Sequence, residues 1–294
     1  MSDRLCRGLV PARGLRAVFA RVADTARMSR MLHGLYPTSA HLFAQALAGG
    51  ALLGALQKHD GRVNLQVECD GPLRGLFVDA DSEGNVRGYA RGAAVGFPGD
   101  PAQAARAALG GKGFVSVIRD LGGGNHYRSS VELVALDLVE DLRRWFAASE
   151  QVETALDVVV LPAPGGPGAE PLGDVAGLLV QKLPGGEGAA LEEVRARLAA
   201  GAFRDAVRRG ASAQEAIAAV AGEGFELLAD QEVAYRCGCS GQRARSAVSA
   251  LGRDGVLEVL REDGEAVITC EFCRTRYVVT GPELQVIADR LAAP

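Results

Sequence analysis

Four cysteines in the last quarter of the chain carry the chemistry that is easiest to read. They stand as Cys237-Gly238-Cys239, thirty intervening residues, then Cys270-Glu271-Phe272-Cys273. Zinc in a structural role prefers a closed tetrahedral set of four thiolates, and two short pairs joined by a spacer supply that set. Four packed cysteines with no metal are the alternative, because free cysteine packs as a small hydrophobe. Paired short spacings favour the metal site over that alternative. The spacing therefore predicts one zinc-binding thiolate site. One pair is C-x-C, where ordinary zinc ribbons use two C-x-x-C pairs. A disulfide across a single residue closes a small, strained ring that is easily reduced again, so this site is also expected to act as a reversible redox sensor. Arg236, Arg243, Arg274 and Arg276 lie near the cysteines in sequence, and positive charge favours the thiolate. Cys6, near a terminus expected to be loose, and Cys69, expected in the core, have no partner at ligand spacing and are assigned no role.

Other signals fail as sites. Gly110-Gly111-Lys112-Gly113 invites a phosphate-loop reading, but Arg106 and Gly113 stand where that motif needs Gly and Ser or Thr. Gly122-Gly123-Gly124 reads as a hairpin turn. His33, His41, His59 and His126 have no spacing suited to a metal or a catalytic triad, and no pair of carboxylates falls into an evident cleft.

The elements that must position the thiols follow from periodicity. Leu15 to Ala23 carries a strand signal, and Thr25 to Leu35 reads as a short helix stopped by Gly34 and Pro37. Ser39 is expected to cap a second helix running to about His59, apolar on all sides and so enclosed between layers. The period then changes to two over Val63 to Cys69, Leu73 to Ala80 and Val86 to Arg91, which predicts a three-strand antiparallel meander. A second antiparallel unit is expected over Gly113 to Asp120 and His126 to Leu133. An amphipathic helix over Asp137 to Glu150 and a strand over Ala155 to Leu161 follow. After the loop Ala163-Pro164-Gly165-Gly166-Pro167-Gly168, Val175 to Leu183 is expected to close the domain as a strand. Beyond Pro184-Gly185-Gly186 the chain is Ala-rich and helical to about Gly222, with Leu191, Val194, Leu198, Val207, Ile217 and Val220 as its apolar positions. Alanine forms helix well but buries little area, so this linker must dock on something else, and marginal docking would make it the first part to come loose. The expected domains are 1–184, a helical linker 185–232, and a cysteine-bearing segment 233–294. The last is too small to fold confidently without its metal.

Composition narrows the function classes. The chain has 294 residues, 48% of them apolar, and a formal net charge of −4. From Gln231 to Pro294 eight Lys/Arg face nine Asp/Glu, so a zinc-ribbon nucleic-acid binder, the rival reading alongside a constitutive structural ribbon, lacks its electrostatic footprint. A zinc hydrolase needs an open coordination position, and four thiolates fill zinc completely. A thiol-disulfide oxidoreductase wants C-x-x-C at a helix start, whereas Tyr277 to Thr280 after the second pair looks like a strand. No apolar run suits a signal peptide or a membrane span, so a cytoplasmic location is expected, where cysteines stay reduced.

With these residues assembled, the chain resembles the redox-regulated holdase chaperones of the 33-kDa heat-shock protein family over nearly its whole length. The likeness is carried by Asp70-Gly71-Pro72-Leu73-Arg74-Gly75, Val86-Arg87-Gly88-Tyr89-Ala90, Gly110-Gly111-Lys112-Gly113 and Tyr127-Arg128-Ser129-Ser130-Val131. It continues through Ser149-Glu150-Gln151 and Gly177-Leu178-Leu179-Val180-Gln181 to the cysteine cluster followed by Tyr277. Trp145-Phe146 stands where the family commonly has Tyr before Phe. The resemblance implies an α+β fold: a layered β/α/β N-terminal domain with a buried helix, a helical linker and a small zinc-bound C-terminal domain. It implies a non-enzymatic, ATP-independent stress-response chaperone with one Zn2+ per chain held by Cys237, Cys239, Cys270 and Cys273 in the inactive, reduced state. Oxidation would pair Cys237 with Cys239 and Cys270 with Cys273, release zinc and unfold the linker. The opened protein, as a homodimer, would bind unfolding client proteins, with no nucleotide, nucleic acid or membrane involved.

Overall fold

The structure is a computed structural model that describes residues 2–58, 61–120, 125–165 and 170–292. His59, the Gly122-Gly123-Gly124 turn and part of the loop expected over 163–168 lie outside the described residues. The chain divides into two compact units, 1–236 and 237–294.

The first unit is built around one helix. Strands β1 (Arg4–Val10) and β2 (Leu15–Arg21) are followed by helices α1 (Ala23–His33) and α2 (Pro37–Ala55). Helix α2 buries Leu42, Phe43, Leu47, Leu52 and Leu53 almost completely, together with its many alanines, as its all-round apolar sequence predicts. Small residues let the sheet approach it. A Cβ on Gly50 would meet Val78 Cγ1 at 2.6 Å, so glycine is what the close packing requires. Ser39 does not cap this helix. Pro37 occupies its first turn, where the missing N–H costs nothing, and the Ser39 hydroxyl donates to the Ala93 and Tyr36 carbonyls.

On one side of α2 lies a six-stranded sheet. The meander β3 (Arg62–Cys69), β4 (Gly75–Asp81) and β5 (Asn85–Ala90) is present as expected. After α3 (Pro101–Leu109), β6 (Gly113–Asp120) and β7 (His126–Glu132) do not form a separate unit. Strand β6 pairs antiparallel with β3 and extends the same sheet. Helix α4 (Leu138–Ser149) packs nearby, with Asp137 accepting from the Val139 and Glu140 amides as its N-cap.

On the other side of α2 lies a sheet in the order β10-β1-β2-β9-β8, where β8 is Thr154–Val160, β9 is Val175–Lys182 and β10 is Glu226–Glu232. Strand β9 does not close the domain. It sits between β2 and β8, and the chain returns after the helices to add β10 against β1. The short β11 (Ala234–Tyr235) then runs parallel to β5 in the six-stranded sheet. The period of two explains why this sheet has two covered faces. Val18, Ala20 and Leu179 turn toward α2, while Leu15, Ala17, Phe19, Leu178 and Val180 turn the other way, under α5 (Gly188–Ala199), α6 (Ala202–Arg208) and α7 (Ala213–Ala221).

These linker helices dock more completely than their alanine content suggests. Leu191, Val194, Val207, Ile217 and Val220 are buried, and so is Phe203, whose ring meets Phe19 edge-on at 6.3 Å. Arginines from below grip the helix ends. Arg13 donates to the Ala221 carbonyl at the end of α7 (3.0 Å) and to Ala190 in α5 (3.4 Å). Arg21, itself buried, donates to the Ala211 carbonyl (3.0 Å) just past α6. At the C-terminus of α7 the Arg13 cation satisfies an orphan carbonyl and the helix dipole together.

The second unit is much thinner. Helices α8 (Gly241–Ser249), α9 (Gly252–Glu262) and α10 (Gly281–Ala292) pack with the hairpin of β12 (Ala266–Thr269) and β13 (Arg276–Val279). Its buried apolar cluster is Val248, Val256, Val279, Leu284, Ile287 and Ala288, with no aromatic ring among them.

Candidate metal centre

The two cysteine pairs are placed by different local structures. Cys237 and Cys239 immediately precede Ser240, whose hydroxyl accepts from the Arg243 amide and caps α8. Cys270 and Cys273 occupy the connection of the β12–β13 hairpin. There the Cys270 amide donates to the Thr275 carbonyl (2.9 Å) and the Arg274 amide to the Cys270 carbonyl (2.8 Å). Arg274 closes the turn in a left-handed conformation (φ 56°). The Cys270 sulfur accepts from the Phe272 and Cys273 amides, so this turn aims backbone donors at a sulfur that bears negative charge.

Thirty residues apart in sequence, the two pairs bring all four sulfurs together. Their Sγ atoms lie within 4.8 Å of one another. Cys237 Sγ is 3.7 Å from Cys270 Sγ, and Cys239 Sγ is 3.2 Å from Cys273 Sγ. A tetrahedron with zinc–sulfur bonds of about 2.3 Å has edges near 3.8 Å, so the donor set fits that ion. All six cysteines are free thiols.

The electrostatics point the same way. Cys239 accepts or donates a hydrogen bond with the Tyr277 hydroxyl (3.0 Å), which lowers its pKa, yet burial and the three neighbouring thiols push it up to about 12. Burial also works against the Cys273 thiolate, but the Thr275 hydroxyl and amide and the adjacent thiols bring it down to about 6. Cys270 is raised, chiefly by burial. The thiolate is thus favoured at Cys273 and disfavoured at Cys239 and Cys270, and a bound cation would favour it at each. Arg236, Arg243, Arg274 and Arg276 are not among the main causes of these shifts. Arg274 instead pairs with Glu271 at 3.1 Å.

Tyr277 and Thr275 are the site residues that spacing alone leaves out. Tyr277 appears in the sequence only as the aromatic following the cluster, and the β12–β13 register carries its hydroxyl to Cys239. Cys6 and Cys69 stay apart from the cluster. Cys6 is not at a loose end: it is buried on β1, where burial and Asp230, 3.3 Å away, push its thiol up to about 12. Cys69 is half-buried against the main core, its thiol raised by desolvation. Both are poor nucleophiles.

The would-be phosphate loop is occupied by the protein itself. The Asp70 carboxylate accepts from the Gly111 and Lys112 amides (2.8 and 2.9 Å), filling the anion cradle that a phosphate would need. His126 is exposed and His33 lies 3.4 Å from the Tyr235 hydroxyl; among the described residues no histidine joins a metal-binding group. No described helix is long and apolar enough to cross a membrane.

Comparison with known proteins agrees with this geometry. The profile of the Hsp33 protein family matches residues 3–280. A 33 kDa chaperonin of a Cyanothece species is 33% identical over 301 residues, covering 100% of this chain and 99% of that protein. The 33 kDa chaperonin of Bacillus subtilis is 28% identical over 98% of this chain and 99% of its own length. The crystal structure of a 33 kDa chaperonin, a heat shock protein 33 homologue, from Thermotoga maritima superposes with a TM-score of 0.87, at 25% identity over 99% of both chains.

Proposed function

The chain belongs to the Hsp33 family of chaperones, and from that premise we propose that it is a redox-regulated, ATP-independent holdase whose switch is the four-thiolate centre. The observation that carries this reading is the meeting of Cys237, Cys239, Cys270 and Cys273 within 4.8 Å, on a unit with very little core of its own. A bound Zn2+ would keep all four thiolates ionised and lend the unit much of its folding free energy. Residues 1–184 form the client-binding part, 185–232 the linker and 233–294 the switch.

Oxidation works on the ligands. Two thiolates, Cys237 and Cys239, lose two electrons to one peroxide molecule and form a disulfide, while the peroxide takes up two protons and leaves as two waters. Cys270 and Cys273 do the same with a second peroxide. With its ligands consumed the centre no longer supports its unit, and the linker loses its boundary and undocks. The face of Leu15, Phe19, Leu178 and Val180 is then free for unfolding client proteins in the cytoplasm, with the opened chain as a homodimer.

The test is direct. Reduced protein should carry about one zinc per chain by the four-ligand rule. Peroxide at mildly raised temperature should release it, suppression of client aggregation should follow release, and thiol reductant should reverse both. Equal protection before and after oxidation would sink the switch, as would a reduced protein without zinc.

A further inference from the structure

Strand β10 is held in an unusual way for a strand that completes a sheet. Its side chains are mostly exposed, with Leu227 at 55% and Leu228 at 68%. Its ion pair, Arg4 with Asp230 at 2.7 Å, is also exposed, so it contributes little. What binds β10 is chiefly the main-chain ladder to β1, from Arg4 opposite Glu232 to Leu9 opposite Glu226, with Gln231 adding a bond to the Ser82 carbonyl (2.8 Å). Main-chain hydrogen bonds do not depend on sequence, so any extended segment could make them.

Two features give that edge a preference. The ladder has an irregularity between Arg7 and Gly8, and the Phe225 ring lies directly over Gly8, where a Cβ would approach its atoms to 2.5 Å. Beside it a cavity of about 400 Å³ runs between Cys6, Phe19 and Arg21 of the β1–β2 face and Ala213, Phe225 and Leu227 of the segment that covers it. With that cover gone, the edge is a strand with Gly8 open to an aromatic ring and with Cys6 and Phe19 as an apolar floor. Its charge is basic, from Arg4 and Arg7, and β10 answers with Glu226, Asp230 and Glu232.

We propose that β1 is the client-docking edge of the released protein, and that β10 is its intramolecular stand-in. When the linker lets go, an extended apolar segment of an unfolding chain adds to β1 as a strand, with an aromatic side chain over Gly8 and a neutral or acidic flank against Arg4 and Arg7. This rests on the reading of residues 185–232 as the segment that undocks. It explains how a holdase binds unrelated sequences and still avoids folded proteins, whose strands are already paired. It also keeps the resting protein from aggregating, because the edge is covered until the linker leaves.

Amide hydrogen exchange on the full-length chain tests it in three states: reduced with zinc, oxidised, and oxidised with carboxymethylated α-lactalbumin as a permanently unfolded client. Amides of β1 that donate to β10 should lose at least about tenfold of their protection on oxidation and recover it when the client is added. If the amides of α5–α7 stay protected on oxidation, the linker reading itself fails. If α5–α7 open but β1 stays protected, or stays open with client bound, the docking edge is elsewhere and this proposal falls. Recovery on oxidation alone that grows with protein concentration would mean that a second copy, not a client, takes the edge, and would overturn it equally.

Discussion

The two compact units solve the same problem with different means. The first buries a long helix between two sheets and a further helical layer against the outer sheet face, with Trp145, Phe19, Phe43 and Phe203 all fully enclosed. The second has six small or medium apolar residues in its core and four sulfurs at one end. Aromatic and leucine burial contributes roughly 1.5–3 kcal/mol per side chain, so the first unit has a wide margin of its own. The second does not, and a structural metal is the usual remedy for a core so small. Stability in the second unit is therefore conditional on sulfur chemistry, and that is what fits it to sense an oxidant.

The largest effect should come from the ligands. Replacing Cys270→Ser, or stripping zinc with a strong chelator, should unfold residues 237–294, because structural zinc sites carry apparent binding free energies of about 10–16 kcal/mol. Helix α2 and strands β3 to β9 should keep their exchange protection. Protection of α8–α10 that survives metal removal would show that the small core suffices, and the contrast between the units would collapse.

The linker is the next place to press. Phe203 is fully buried against Phe19, and Phe203→Ala should cost docking about 3–5 kcal/mol. The variant should retain zinc yet suppress client aggregation in the reduced state. A reduced, zinc-loaded variant as inactive as the parent would mean that linker docking does not hold the activity back. Arg13→Ala removes two bonds to helix carbonyls and should weaken docking by about 1–2 kcal/mol, less than the ring. The expected readout is a lower temperature for peroxide activation with an unchanged zinc stoichiometry.

What was readable in the sequence follows the same division. The thiolate set needs only residue type and spacing, and the buried helix and the β3–β5 meander need only periodicity, so these are plain in the chain. Strand β1 is not, because arginines at positions 4 and 7 break its apolar pattern. Those side chains find partners only after folding, in Asp230, Gln231 and the Ala55 carbonyl. The joining of β6 to β3 is a long-range pairing with no local signal. Phe203 is hidden in the sequence by the alanines around it, and its weight appears only when Phe19 lies beneath it. Tyr277 needs the hairpin register to reach Cys239.

The smallest effect concerns pH and sharpens where the linker is attached. His41, on α2, is pushed below its ordinary value of 6.5 by burial first and by Arg204 of α6 second, with Asp137 pulling the other way. A histidine whose docked pKa is lowered binds its proton better once the linker is released. Docking should therefore keep its full strength above pH 6.5 and weaken as pH falls through that value toward the lower docked one. Asp157, close to the same Arg204, is raised above 3.8 by burial, so its protonation favours the docked form, in a window that begins from the acid side. The two trends have opposite sign, and the histidine acts first on acidification from neutrality. Exchange of the α6 amides in the reduced, zinc-loaded protein, corrected for intrinsic rates, should speed up between pH 7 and pH 6, near the histidine range. His41→Gln should flatten that rise while leaving zinc content alone. A slope that persists in the variant would move the pH sensitivity off α2 and onto the thiolate unit, which would erase the distinction between a body that holds the linker and a switch that frees it.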